Sequence, residues 1–194
     1  MPGPGAGMSD KRYYMACLDL EGRNCLVVGG GSVGLEKAKG LLDTGAIVTV
    51  VTPRIEPELQ RLPVRWRRKR YQPSDLDGHF LVVAATSVNS LNRRIFLDAE
   101  SRRMLCNVVD TPEICSFILP AVYRRDPIAI AVSTGGASPA LAKRLRDDLG
   151  ARIEEEHVAL AHRLRDLRPW VRNHYHSYRE RKEFFEAVVE DALA

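Results

Sequence analysis

The chain has 194 residues and a mass of 21.7 kDa, is 45% apolar and 28% charged, and carries 29 basic against 25 acidic side chains for a net charge of +4. At roughly 100–200 residues per domain this makes one large domain or one with an appendage. It is too apolar for a disordered chain, and no apolar run nears the ~18 residues of a membrane span. A small basic surplus suits an anionic ligand, whereas nucleic acid calls for a concentrated patch.

Residues 1–8 lack the basic start and apolar stretch of a secretory signal, and 1–12 read as a flexible tail, with either Met1 or Met8 as the natural start. Cys17, Cys25, Cys106 and Cys115 form no CxxC pair and read as reduced, structural thiols of a cytoplasmic protein. A strand is predicted at 26–28, before a glycine cluster. A helix follows over about 32–43, with Ala38, Leu41 and Leu42 on one face and Gly45 as its stop. Further strands are predicted at 47–51, at 64–67 (more exposed), at 80–85, at 104–109 and at 128–132, with a helix through Leu91, Ile95 and Ala99. The 80–85 run is apolar without alternation, as in a strand buried on both faces. Strands and helices alternating at this spacing predict an α/β fold with a Rossmann-type parallel sheet, and 128–132 is expected to be its last strand. From Ser138-Pro139, a serine cap and a proline at the first helical position, the chain reads as charged helix, with breaks near Gly150 and at Pro169.

Gly29-Gly30-Gly31-Ser32-Val33-Gly34 fits GxGxxG directly after a strand and at a helix start. The first glycine permits a tight turn, the second lets the backbone approach a pyrophosphate, and the third lets helix pack on strand. Dinucleotide binding is the expectation. The acid that often holds the ribose about 20 residues on is missing. That stretch reads Val51-Thr52-Pro53-Arg54, which leaves two readings open: Arg54 holds a phosphorylated ribose, or Thr52 and backbone groups hold an ordinary one.

Ligands of parallel sheets bind beyond the carboxyl ends of the strands. Those ends offer Thr86, Asp110 and Ser133-Thr134-Gly135-Gly136. Asp110 is either an acid that transfers a proton or helps bind a metal cation, or a turn-forming or helix-capping residue. The loop 133–138 has two hydroxyls, flexible backbone and a helix N-terminus, the ingredients of an anion site, with Lys143, Arg144 and Arg146 behind it. Arg67-Arg68-Lys69-Arg70 reads as charge on an edge strand and not as a nucleic-acid patch. His157 and His162, and His174 and His176, lack the i, i+4 spacing of a zinc site, so no metal ligand is assigned. Trp170, Tyr175 and Tyr178 read as helix-packing aromatics.

Four blocks, in order, resemble the precorrin-2 dehydrogenase module of siroheme synthase: 25–33, 84–86, 107–112 and 131–139. The resemblance runs from about residue 14 to 149 and continues more weakly into 180–186. It implies oxidation of precorrin-2 to sirohydrochlorin with NAD and, in some members, insertion of ferrous iron. It implies Asp110 as the essential aspartate. Ser32-Val33 and Pro53-Arg54 match the family's NAD-contacting positions, alongside Gly29, Gly31, Gly34 and Thr86 at the strand ends. It further implies that Ser116, Phe117, Ser133, Thr134, Gly135, Gly136 and Ser138 face the tetrapyrrole. Members are homodimers, which suits a tail too small to fold alone. The expected organisation is an NAD-binding domain at 13–113, a dimerisation and substrate segment at 114–150 and a helical part at 151–194. Thr134 stands where some members carry serine, which removes a serine-specific modification there. Another NAD(P)-dependent oxidoreductase and a nucleotide-sensing regulatory domain are the competing readings, the latter lacking an effector module.

Overall fold

A computed structural model describes residues 12–194. The expected tail at 1–12 and the start at Met1 or Met8 lie outside these residues but for Arg12. The chain forms two compact units, one ending at Leu119 and one running Pro120–Ala194.

In the first unit, β1 (Asn24–Val28), β2 (Ile47–Val51), β3 (Arg65–Arg67), β4 (Leu81–Ala84) and β5 (Leu105–Val108) make a parallel sheet in the order β3-β2-β1-β4-β5. Between them run α1 (Ser32–Leu42), the short α2 (Pro57–Gln60) and α3 (Asn89–Glu100). Side chains alternate faces along each strand. Cys25 and Val27 therefore join Val48, Val50 and Leu59 on one face, while Leu26 and Val28 join Val82, Ile95 and Ala99 on the other. Both faces of β1 and β4 are dry, which is why their sequences are unbroken apolar runs. Each fully buried Val, Leu or Ile here contributes about 1.5–3 kcal/mol. The chain moves outward from β1 to β3 and then returns to place β4 on the other side of β1. The crevice above β1 and β4 is thus the topological switch point, where open sheets of this kind bind ligands.

The second unit corrects the expected sheet. β7 (Ile128–Val132) is no sixth parallel strand; it pairs antiparallel with β6 (Ala121–Arg125) in a separate two-stranded sheet. Both strands are short and alternate half-buried with exposed residues, the pattern of a one-sided hairpin. The loop 133–138 accordingly does not follow a strand of the parallel sheet. α4 (Pro139–Gly150) starts where expected, with the Ser138 hydroxyl accepting from the Leu141 amide at 3.2 Å. It ends against β6, where a Cβ on Gly150 would come within 2.5 Å of the Tyr123 ring.

The break expected at Pro169 is absent. α5 (Glu155–His174) runs through it, and the chain turns instead at Tyr175–Ser177 before α6 (Tyr178–Leu193). Proline removes one helical hydrogen bond, at a cost of about 3 kcal/mol. Packing just beyond it offsets that cost: Val171 is fully buried, and Trp170 stacks on His174 and meets Phe184 at 5.9 Å between ring centroids. Ser177 and Glu180 form a reciprocal cap that starts α6. Tyr175 joins the aromatic cluster, whereas Tyr178 is exposed. Among the described residues no helix is long and apolar enough to cross a membrane.

Candidate functional site

A cleft of about 1080 Å³ opens above the carboxyl ends of the parallel strands. It is lined by the glycine loop, by Thr52–Arg54 after β2, by Arg70 and Tyr71 after β3, by Thr86 and Asn92 beyond β4, and by Asp110 after β5. The structure therefore brings together Gly29, Gly31, Ser32, Val33, Pro53, Arg54, Thr86 and Asp110.

The glycines divide by what surrounds them. Gly29 takes φ +127°, and a Cβ there would lie 2.2 Å from the Ala85 carbonyl oxygen. A Cβ on Gly30 would meet the Arg54 carbonyl oxygen at 2.3 Å, and one on Gly34 the Gly29 oxygen at 2.4 Å. These three are required by the protein's own packing, and Gly34, the helix–strand contact, does not line the cleft. Gly31 differs. A Cβ there would meet only the Glu56 carboxylate, at 3.9 Å. Its missing side chain leaves open space directly at the start of α1, whose first turn has no side-chain cap. Free backbone N–H groups beside an open cradle suit a phosphate. The residues present fit a dinucleotide.

Thr52 lines the cleft with its side chain already engaged in the turn. Its hydroxyl donates to the Arg54 carbonyl at 2.6 Å, its carbonyl accepts from Trp66 Nε1 at 3.0 Å, and it is 8% exposed. The arginine side chain of that stretch has no hydrogen-bond or ionic partner among the described residues. Glu56 approaches the glycine loop at Gly31 without lining the cleft.

Asp110 forms the turn that follows β5 and does not cap the next helical turn. Thr111 stands at the head of the following turn of Pro112–Ile114, and the Asp110 carboxylate has no protein partner among the described residues. Its backbone sits at φ +57°, a left-handed conformation that costs a non-glycine residue about 1–2 kcal/mol. Backbone bonds on either side hold it there: Val109 N–H to the Ala84 carbonyl at 3.1 Å and Thr111 N–H to the Val108 carbonyl at 3.3 Å.

Asn92 is a cleft residue that sequence reasoning missed. It occupies the buried face of α3 beside Ile95, where an asparagine among apolar positions was the available signal. Tyr71, also missed, donates its hydroxyl to Asp98 at 3.1 Å; burial and that carboxylate push the phenol's pKa up.

Ser116 and Phe117 do not line the cleft. Ser116 pairs with Cys106 on β5, its amide donating to the Cys106 carbonyl and its hydroxyl accepting from the Cys106 amide, both at 2.9 Å. Phe117 packs on the sheet core. Ser133, Thr134, Gly135, Gly136 and Ser138 belong to the second unit, between β7 and α4. Their hydroxyls hold the loop itself: Ser133 accepts from the Gly135 amide at 3.2 Å and Thr134 from the Ser138 amide at 3.0 Å. Gly135 and Gly136 supply the positive φ angles, +62° and +91°. Behind the loop, Arg144 pairs with Asp148 and Arg146 with Asp147. Among the described residues no group of three or more His, Cys, Asp or Glu side chains is placed to hold a metal ion.

A family model described as NAD(P)-binding matches residues 16–121, and one described as sirohaem biosynthesis protein central matches 125–152. Similar proteins include the siroheme synthase of Nitrosomonas eutropha, 38% identical over 187 residues, 94% of this chain and 39% of that protein. The siroheme synthase of Pseudomonas fluorescens is 39% identical over 180 residues, 91% of this chain and 39% of that protein. The chain thus spans about two fifths of the length of these curated relatives. Among solved structures, SirC, a precorrin-2 dehydrogenase, aligns with a TM-score of 0.76 at 30% identity, covering 94% of this chain and 93% of that one. The chain belongs to the NAD(P)-binding precorrin-2 dehydrogenase family of siroheme biosynthesis.

Proposed function

We propose that the protein oxidises precorrin-2 to sirohydrochlorin with NAD as hydride acceptor. The observation that carries this reading is the unpartnered Asp110 carboxylate, held in a left-handed turn in the same cleft as the glycine loop. NAD, when bound, supplies the acceptor for a hydride from the macrocycle. The chain's residues bind, orient and move the proton. The backbone of Gly29–Gly31 and the first turn of α1 hold the pyrophosphate, with Ser32, Val33, Pro53 and Arg54 around it. Thr86, fixed by Asn92, borders the cleft above β4. Loss of hydride leaves a proton to be taken from the macrocycle, and Asp110 is the base for it.

Precorrin-2 carries several carboxylates, so the net charge of +4 and the loop 133–138, with its backbone-rich glycines, favour it as substrate. Ser116 and Phe117 belong to this reading as substrate-facing residues only by family resemblance. The same carboxylate serves as base if ferrous iron, as a second substrate, displaces protons from sirohydrochlorin. A homodimer acting in the cytoplasm completes the proposal.

The test supplies precorrin-2 and NAD+ and follows the macrocycle spectrum, then adds ferrous iron with and without protein. Sirohydrochlorin and NADH form in equal amounts with the wild-type chain. Asp110→Ala lowers the rate at least about 100-fold while NAD+ still binds. Full activity in that variant sinks the role of Asp110, and no NADH from precorrin-2 sinks the function.

A further inference from the structure

We infer that Cys115 is a positioning residue for the proposed reaction: its thiol clamps both ends of the turn that carries Asp110, which rests on the proposed role of Asp110 as base. β5 is the last strand of the parallel sheet, so one of its edges carries no further strand among the described residues. In a parallel ladder the amide and carbonyl of one residue face the same side, and that side alternates along the strand. The Val109 amide donates to the Ala84 carbonyl on the β4 side, so the backbone groups of Cys106 and Val108 face away from β4.

The chain leaves β5 through the turn at Asp110, passes along Pro112–Ile114 and doubles back over that edge. Ser116 takes the backbone groups of Cys106, and Cys115 takes those of Val108. The Val108 amide donates to Cys115 Sγ at 3.1 Å. The thiol proton faces the Val108 carbonyl at 3.2 Å and the Thr111 carbonyl at 3.3 Å. The Asn107 side-chain amide donates to the Phe117 carbonyl at 3.0 Å and approaches the same sulfur at 3.8 Å.

Val108 and Thr111 are the two ends of one turn. The Thr111 amide donates to the Val108 carbonyl, which makes Asp110 the third residue of that turn, at φ +57°. A positive φ at this position favours glycine or asparagine, and an aspartate persists there only where its surroundings over-determine the backbone. One sulfur that meets Val108 and Thr111 together does so from inside the fold. Cys115 is 7% exposed and does not line the cleft, whereas Asp110 is exposed and does. Any effect of the thiol on the reaction therefore passes through the turn. Each bond of a thiol is weak, so the placement of the sulfur between both ends is what fixes the carboxylate. A displacement of about 1 Å at a reacting group costs about 100-fold in rate.

Cys115→Val fills the same space, suits the extended backbone at φ −116° and ψ 137°, and removes both donor and acceptor. Turnover of precorrin-2 with NAD+, an NAD+ titration and a thermal melt are measured for Cys115→Val, Cys115→Ser, Asp110→Ala and the double variant Asp110→Ala with Cys115→Val. The expected result is a kcat about 10- to 100-fold lower in Cys115→Val, with KM for precorrin-2 and NAD+ affinity within about three-fold of wild type. Cys115→Ser, which keeps a donor and an acceptor, returns kcat to within about five-fold of wild type. In the Asp110→Ala chain the valine causes no further loss, because the group it misplaces is already gone. Wild-type kcat in Cys115→Val overturns the inference alone, as do a serine variant as slow as the valine one and losses that multiply in the double variant. Loss of NAD+ binding and of a cooperative melt in Cys115→Val assigns the thiol to the fold and overturns it too. Full activity in Asp110→Ala, or no NADH from precorrin-2 with the wild-type chain, overturns the proposed reading together with it.

Discussion

The Thr86 hydroxyl donates to Asn92 Oδ1 at 2.6 Å, and the Asn92 amide donates back to the Thr86 carbonyl at 2.9 Å. The Thr86 amide shares the same oxygen at 3.3 Å. Asn92 is 4% exposed, and its amide holds three groups of Thr86 at once. Asn92→Ala leaves backbone groups at the end of β4 unpaired, each costing about 1–3 kcal/mol. The expected loss is about 2–3 kcal/mol of unfolding free energy in urea, with weaker NAD+ binding. Asn92→Asp keeps the acceptor but loses the donor to the Thr86 carbonyl, and falls between the two.

Two glycines of one loop separate folding from binding. Gly29→Ala puts a Cβ against the Ala85 carbonyl at a positive φ and destabilises the chain by about 2–4 kcal/mol. Gly31→Ala meets open space and changes stability by no more than about 0.5 kcal/mol. It nevertheless weakens NAD+ binding at least about ten-fold, because the new methyl stands where the phosphate approaches. Thermal melts and an NAD+ titration on both variants check the contrast; unaltered affinity in Gly31→Ala removes the phosphate from this loop.

His79 gives stability a pH slope. It is half-buried, and its Nδ1 has no hydrogen-bond partner among the described residues. Burial, with Arg67 nearby, lowers its pKa from the usual 6.5; the backbone at Asp77 and Leu76 and the carboxylate of Asp75 oppose this more weakly. Below about pH 6.5 the unfolded chain binds a proton that the folded chain resists. Stability from this group is complete above that pH and is lost as pH falls through the lower folded value. Urea midpoints between about pH 5 and 8 decline on the acid side, and His79→Phe flattens that decline.

Thiol reactivity follows burial. Cys17 is exposed, whereas Cys25, Cys106 and Cys115 are buried and free of disulfides. Burial pushes the Cys25 thiol up to about 11 and the Cys106 thiol up to about 12, so neither supplies thiolate near neutrality. A thiol reagent should modify Cys17 alone in the native chain and all four cysteines in denaturant. Rapid modification of Cys106 in the native state contradicts the buried β5.

Local patterns made most of the first unit legible. The apolar run 80–85 and the glycine cluster after 26–28 specify strand and phosphate loop because burial on both faces and close backbone approach each demand particular residue types. The hairpin was not legible in this way. Residues 128–132 alternate like any strand, and only pairing with 121–125 shows that they leave the parallel sheet. Pro169 misled for a related reason: the helix there is held by Trp170, Val171 and Phe184, which are contacts between segments and not local propensity.

By itself the sequence determined the Rossmann-type sheet, the GxGxxG turn, the family's four blocks and Asp110 as the residue to watch, since all of these are encoded in short stretches. The tertiary structure decided what each residue is free to do. It spent the Thr52 hydroxyl on Arg54, tied Arg67 and Lys69 to Asp75, and locked Thr86 to Asn92. It also left Asp110, Arg54 and Arg70 in the cleft without a partner among the described residues. Whether a polar group serves the fold or a ligand depends on what lies within hydrogen-bonding distance, and those neighbours come from strands and helices far apart in the chain.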